Sequence, residues 1–332
     1  SNDAKVGSWC YYDFASATGY WYDFPDLSTG NNYVYATTNR FTMANAWNNT
    51  YIFRLPLDAL ATCSGFSYNF YSTSSNFTFR LARGATDTIY WASHNTTSQI
   101  RIFHWSELTT TLGYDDVNLS AAWTIGTGVC PGPDARDWCG RADSRILAGW
   151  VANGEGTLEG QRVIGFMWNA PQGGSFAYPY IEAVRVKEAD RSYINRPLVW
   201  NSGVAFQYPA ASSNARGDVA IAGFYGGGSS YPNVFLSVDD DYNGAPPGWE
   251  LLTGVTSSSQ GPTQNAWGDY LSVRPLHPSG LGWTASAYDL FGCGGTGCVW
   301  PYFVAYGRER DLRAATKYLN PLYGVFLPMS RR

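Results

Sequence analysis

The chain has 332 residues and a formal net charge of −4, with 45% apolar, 17% aromatic and 14% charged residues. The lack of a basic surplus excludes a partner held by phosphate neutralisation, and no apolar run reaches the ~20 residues that a membrane helix needs. Aromatics, Gly, Ser, Thr and Asn stand where Lys and Glu would stand in a helical protein, which points to short strands and many turns.

In chain order, a start at Ser1 without Met is expected of a processed mature chain. The first strand-like unit then runs "YDFPDLS" (22–28), "YVYATTNRF" (33–41), "YIFRLPL" (51–57) and a fainter "FSYNFY" (66–71). The second runs "FTFRLAR" (77–83), "TIYWASHN" (88–95), "QIRIFHW" (99–105) and "DVNLSAAW" (116–123). The third reads "RADSRIL" (141–147), "LAGWVANG" (147–154), "RVIGFMW" (162–168) and "IEAVRVKE" (181–188). The fourth reads "FQYPAAS" (206–212), "DVAIAGFYGG" (218–227), "NVFLSVD" (233–239) and "GWELLTG" (248–254). The fifth has "WGDYLSV" (267–273), "GWTASAYDLF" (282–291) and "YFVAYGR" (302–308), followed by a tail, 312–332, that suits either helix or strand.

First strands therefore begin at 22, 77, 141, 206 and 267, at spacings of 55, 64, 65 and 61 residues. Four strands per unit, with small apolar residues in the first, are what a radial array of sheets requires. The expected fold is an all-β propeller filling 1–332 as one domain. Five blades are favoured; a sixth would need residues 1–24 combined with 309–332. One terminus is expected to complete a blade begun by the other, the tail serving as closing or assembly segment. Two β-sandwiches are the competing architecture, but no linker-like change of composition interrupts the five units.

Cys130 and Cys139 bracket "PGPDARDW", and Cys293 and Cys298 bracket "GGTG", both loops that a disulfide can close; Cys10 and Cys63 remain as a long-range pair. Zinc fits less well, with no CxxC and only His94, His104 and His277. Disulfides imply an oxidising compartment. Sequons at Asn48, Asn76, Asn95 and Asn118 agree with a secreted glycoprotein at the cell surface or outside the cell.

"AFQYPAASSNARGDVAIAGFYGGG", "WGDYLSVRPLHPSGLGWTASAY" and "YDFPDLSTGNNYVYATTNRF" resemble blades of secreted bacterial propellers of the sialidase-like (BNR-repeat) superfamily, in an uncharacterised group. The resemblance implies a propeller and secretion, not sialidase activity. The Asp-box of that superfamily is degenerate here, with Ser237, Asp239, Gly244 and Trp249 spread by an insertion. A sialidase clamp would need three arginines, for which Arg80, Arg145 and Arg274 are placed, beside Tyr270 and Asp269. The glutamates, however, fall in loops or outer strands.

With the units in register, Asp23, Asp143, Gln207 and Asp269 share one repeat position, with Thr78 or Asn76 in the second unit. Such an axial ring has three readings: an anchor that caps backbone N–H groups between blades, a Ca²⁺ cage, or catalytic carboxylates of a glycoside hydrolase. The anchor is preferred, and with it a non-catalytic surface protein that binds glycans or other surface proteins, or self-associates. The glycoside hydrolase acting on polysaccharide is the alternative. "GFYGGGSSYP" and "FGCGGTGC" read as turns rather than phosphate loops. Trp21, Trp105, Trp200, Trp249 and Trp300 are candidate sugar platforms or core.

Overall fold

The computed structural model describes residues 9–14, 17–154, 156–239, 249–253, 255–256, 258–268, 271–293, 296–316 and 325–329. The first sheet comprises β1 (Tyr20–Thr29), β2 (Tyr33–Thr42), β3 (Trp47–Pro56) and β4 (Asn69–Thr73), with α1 (Leu57–Ala61) between the last two. The second comprises β5 (Arg80–Leu81), β6 (Thr88–Thr96), β7 (Gln99–Ser106) and β8 (Gly113–Asn118). The third comprises β9 (Ile146–Asn153), β10 (Arg162–Ala170), β11 (Tyr180–Lys187) and β12 (Tyr193–Asn195), with β13 (Leu198–Val199) also paired to β11. The fourth comprises β14 (Ala205–Ser213), β15 (Val219–Gly227), β16 (Ser230–Asp239) and β17 (Glu250–Leu252). The fifth comprises β18 (Ser272–Pro275), β19 (Trp283–Cys293), β20 (Thr296–Arg308) and β21 (Val325–Met329). Between β20 and β21 lies α2 (Glu309–Thr316), and β21 returns parallel to β20, whereas the other pairs are antiparallel. Five four-stranded blades in a propeller arrangement are the expected architecture.

Burial explains the composition of the strands. A strand covered on both faces reads as a continuous apolar or small-residue run, and one covered on a single face alternates. β14, "AFQYPAASS", is buried at every position, and β10 at all but its first. In β2 only Tyr35, Thr37 and Asn39 are sealed, with the intervening residues half-buried. β19 behaves likewise: Trp283, Ala285 and Ala287 are buried while Thr284 is half-buried and Ser286 exposed. The first and fifth blades thus each carry one open face.

Junctions between blades follow chain order. β1 packs on β5, β5 and β6 on β9, β9, β10 and β11 on β14, and β14, β15 and β16 on the fifth blade. Among the described residues no strand of the fifth blade packs on the first to that extent, and no core cluster holds residues of both. Side chains bolt the junctions. Asn39 Nδ2 donates to Thr78 Oγ1 at 2.7 Å, Tyr208 N donates to Asn169 Oδ1 at 2.7 Å, and Trp283 Nε1 donates to Ser212 O at 3.1 Å.

Three inner strands are entered through a residue in the left-handed region: Phe24 (φ 56°), Thr78 (φ 57°) and Tyr208 (φ 58°). At Phe24 and Tyr208 the ladder slips, between Asp23 and Asp26 and between Gln207 and Ala210, as a bulge does when it re-aims the side chains that follow. Gly268 (φ 102°) has a stricter reason. A Cβ there would lie 2.1 Å from the Tyr208 ring, and its N–H donates to Tyr288 Oη at 2.8 Å. Trp267 beside it is buried.

Two expectations are corrected. Residues 141–147 and 147–154 are not separate strands: the inner strand of the third blade is β9 alone, so β10 and β11 are its second and third. An Asp143–Arg145 turn, with Arg145 N donating to Asp143 Oδ1 at 3.1 Å, precedes it, and a local turn of this kind takes the backbone out of ladder pairing. Among the described residues neither terminus completes a blade begun by the other: each sheet is built from strands consecutive in sequence, and the tail supplies β21 to the fifth blade itself. Disulfides join Cys10 to Cys63 and Cys130 to Cys139. Cys298 is disulfide-bonded too, while the side chain of Cys293 lies outside the described residues.

Candidate functional site

The bulge at Phe24 brings Asp26 to the inner edge of β1, where it is 6% exposed. Its Oδ2 accepts from Leu81 N at 3.1 Å, and its Oδ1 is 3.2 Å from Arg80 Nη1 and ion-paired with Arg83. Arg274, on β18, lies within electrostatic range of Asp26 and of both second-blade arginines. Two guanidinium groups of the second blade thus share one carboxylate of the first, and a third from the fifth blade lies within electrostatic range of it.

Burial pushes Arg83 down to about 10, against the pull of Asp26 and with the repulsion of Arg274 and Arg80. Burial likewise lowers Arg274, partly offset by Asp26 and reinforced by Arg80. Both remain cations at neutral pH. The Arg274 guanidinium makes one hydrogen bond, Nη1 to its own Val273 O at 2.9 Å, and meets no carboxylate within ion-pair distance among the described residues. A half-buried, unneutralised guanidinium is costly to hold, and an anion would relieve it.

Arg83 and Arg274 line a cavity of about 760 Å³ at the inner strand ends, with walls from all five blades. Arg162 and Arg216 also line it, but these carry their own counterions. Arg162 Nε donates to Glu188 at 2.7 Å, and Arg216 bonds Asp218 and Asp311 at 3.1 and 2.6 Å. Among the described residues no Asp, Glu or His lines the cavity. The remaining polar lining is hydroxyl and amide, including Ser28, Thr86, Asn153, Ser212, Ser213 and Asn214. Gly84 (φ 83°) belongs to this wall, where a Cβ would sit 2.0 Å from Ser213 Oγ and 2.7 Å from Val151 O. Only glycine allows the second and fourth blades to approach so closely there.

The ring expected at the repeat position is distributed differently. Asp23 and Gln207 occupy equivalent sites, each just before a left-handed residue, and in the second blade Phe77 takes that place rather than Thr78 or Asn76. Gln207 is buried, its Nε2 donating to Ala170 O at 3.3 Å and Tyr180 O at 3.1 Å, so its amide faces the third blade. Asp143 is held by Arg145, whose Nε donates at 2.8 Å and 2.6 Å to its two oxygens. Arg145 and Arg80 lie over the Phe24 ring at 4.5 and 4.9 Å. Asp269 and Tyr270 lie outside the described residues. Among the described residues, the group of His, Cys, Asp and Glu close enough to share a metal is Cys130, Asp137 and Cys139, and its sulfurs are joined to each other.

Of the sequon asparagines, Asn95 and Asn118 are exposed, Asn48 is half-buried, and Asn76, at 3% exposure, cannot present a glycan on the folded surface. Trp105 is core, Trp21 and Trp249 are half-buried, and Trp200 and Trp300 are exposed. The Asp-box remnant puts Asp239 3.6 Å from Arg185, while Gly244 lies outside the described residues. Sequence reasoning singled out Arg80, Arg145 and Arg274 but passed over Asp26, Arg83, Arg162 and Arg216. For Asp26 and Arg83 a signal was present, since both lie in the first-strand motifs "YDFPDLS" and "FTFRLAR".

No family model and no curated protein matches the chain. Solved structures similar to it include a PL25 ulvan lyase described as a polysaccharide lyase bound to -[GlcA(1-4)Rha3S]-, at 9% identity and a TM-score of 0.40, over 84% of this chain and 69% of that one. A likeness so distant says nothing about the chemistry of the axial cavity.

Proposed function

We propose that this chain is an extracellular propeller that binds a carboxylate- or sulfate-bearing glycan in the axial cavity without turning it over. One observation carries the reading: Arg80 and Arg83 share the single Asp26 carboxylate, and among the described residues Arg274 meets no carboxylate at ion-pair distance at the wall of a cavity with no acidic side chain. A guanidinium fork matches carboxylate and sulfate oxygens, and in a partly dry site that attraction exceeds its value in water. The cavity volume is that of a small-molecule site rather than an ion site, and its hydroxyl and amide rim suits sugar hydroxyls. No lining side chain is a general acid or base of the carboxylate or imidazole type, which favours binding over hydrolysis.

An axial Ca²⁺ is the weaker reading, because Arg145 occupies the Asp143 carboxylate and the axis is otherwise cationic. Secretion is supported by the disulfides, the ordinary state of cysteine in an oxidising compartment. No helix among the described residues is long and apolar enough to cross a membrane. Kinship with sialidase-like propellers belongs to the same proposal and is supported by the motif strands rather than by the site.

The test is calorimetric binding of uronate and sulfated oligosaccharides beside neutral ones. Anionic sugars should bind, neutral ones should not, and Arg274→Gln should weaken binding by about tenfold or more, the scale of one charge-assisted contact. Affinity should fall as salt rises. Equal affinity for neutral sugars would refute the reading. New reducing ends appearing during incubation would restore the hydrolase alternative with Asp23, Asp143 and Asp269 as its carboxylates.

A further inference from the structure

We propose that the ligand is a polymer, and that its chain lies in the open junction between the fifth and first blades, with one anionic group at the Arg274–Arg83 cluster. This rests on the anion-binding reading above and adds the route and the length of the ligand.

The junction has two walls. On the first blade the register sets Leu27, Ala36, Phe53 and Phe70 in one row across four strands. Leu27 at one end is 54% exposed and Phe70 at the other 58%, while Phe53 between them is buried under the Phe14 and Tyr68 rings, 5.7 and 5.9 Å away. On the fifth blade, Ser272, Ser286 and Phe303 form the corresponding row, with Ser286 exposed and Phe303 47% exposed. Where a neighbour covers both sides of a blade, such mid-strand residues are sealed; Ala220, Ile221, Ala222 and Phe224 on β15 are all at 0%. Water therefore reaches into the fifth–first junction at positions that the other junctions bury.

The inner end of the junction is the axial cavity. Leu27, Thr29 and Val34 of the first blade and Arg274 and Pro275 of the fifth all line it. Leu27 of the first-blade row thus borders the cationic apex directly, and Arg274 lies two residues along β18 from Ser272 of the fifth-blade row. Its occupant must offer apolar faces to Phe70 and Phe303, hydroxyls to Ser272 and Ser286, and negative charge to the apex. Acidic polysaccharide has all three. Three inter-strand steps of roughly 4.8 Å put Phe70 about 14 Å from Leu27, farther than one sugar ring extends, so several sugars are needed to use both the wall and the apex. A second copy of this chain would also fit the apolar walls, and the dimer outcome below separates it from the polymer.

Two size-graded series serve as probes, oligogalacturonates for carboxylate alone and chondroitin sulfate oligosaccharides for carboxylate with sulfate. In the better-bound series, affinity should rise about tenfold or more from disaccharide to hexasaccharide, and Phe70→Ser and Phe303→Ser should each remove several-fold of the hexasaccharide affinity while leaving the disaccharide unchanged, as exposed ring contacts would. Both side chains are exposed, so the variants keep the core. Independently, Ser286→Cys should react rapidly with a maleimide in the native protein, and the hexasaccharide but not the disaccharide should protect it. Disaccharide and hexasaccharide binding alike, insensitive to both Phe variants, would overturn the polymer route while leaving the anion site standing. Failure of both series to bind at all would overturn both. A Ser286→Cys thiol inert in the native monomer, or a stable dimer whose formation hides it, would equally overturn the proposal.

Discussion

His94 sits between the rings of Trp123 and Trp168, at 4.5 and 4.9 Å, with both ring nitrogens sealed from water, although part of its surface reaches solvent. Burial pushes it down to about 3, opposed slightly by the Ser144 backbone. Between about 3 and the ordinary value of 6.5 the unfolded chain holds a proton that the folded chain refuses, so stability is lost as pH falls through that window. The slope from this residue is at most about 1.4 kcal/mol per pH unit. Urea unfolding at pH 7, 6 and 5 should show the wild type losing stability faster than His94→Leu over that range; parallel losses would mean that the imidazole titrates freely. Nothing in the sequence marked this histidine, because its environment is assembled from three segments far apart in the chain. Arg274 was legible as a residue aimed at the axis, but its lack of a counterion among the described residues was not, since pairing depends on which blade supplies the nearest carboxylate.

Strands are where the sequence spoke most clearly. The alternation of "YVYATTNRF" and "GWTASAYDLF", against the unbroken "RVIGFMW" and "DVAIAGFYGG", already encodes which blades have an uncovered face. The third blade was misread because "RADSRIL" carries an apolar ending that β9 uses, while its first half is consumed by the Asp143 turn. Side-chain bridges between strands escaped notice altogether. Asn39 accepts from Thr50 Oγ1 at 2.9 Å and donates to Thr78 Oγ1, all three buried. Asn39→Ala takes the donor from Thr78 Oγ1 and the acceptor from the Thr50 hydroxyl, which keeps only its bond from Thr78 N at 3.2 Å, and should lower stability by about 1–3 kcal/mol, the usual cost of buried groups left unbonded. Denaturant titration measures it, and a loss within error would show that water replaces the amide.

For the whole molecule, the repeat starting near residues 22, 77, 141, 206 and 267 foretold five wedges. The topology of closure could not be foretold, because the tail's pattern suited either helix or strand and the chain used it as both. The Cys10–Cys63 bond ties the opening segment to the loop after α1, 53 residues on, whereas Cys130–Cys139 closes only 9. By loop entropy, removing the first should cost about 4 kcal/mol and the second about 2.6 kcal/mol. Double Cys→Ser variants compared by thermal melting should follow that order; the reverse order would place the short loop's value in native packing.

Because, among the described residues, no shared core and no closely packed strand pair joins the last wedge to the first, the assembly is mechanically a split washer rather than a hoop. What links its lips across the hub is chiefly electrostatic. Thermal breathing should therefore concentrate at that slit, leaving the four interior joints rigid while the gap widens and narrows around whatever it holds.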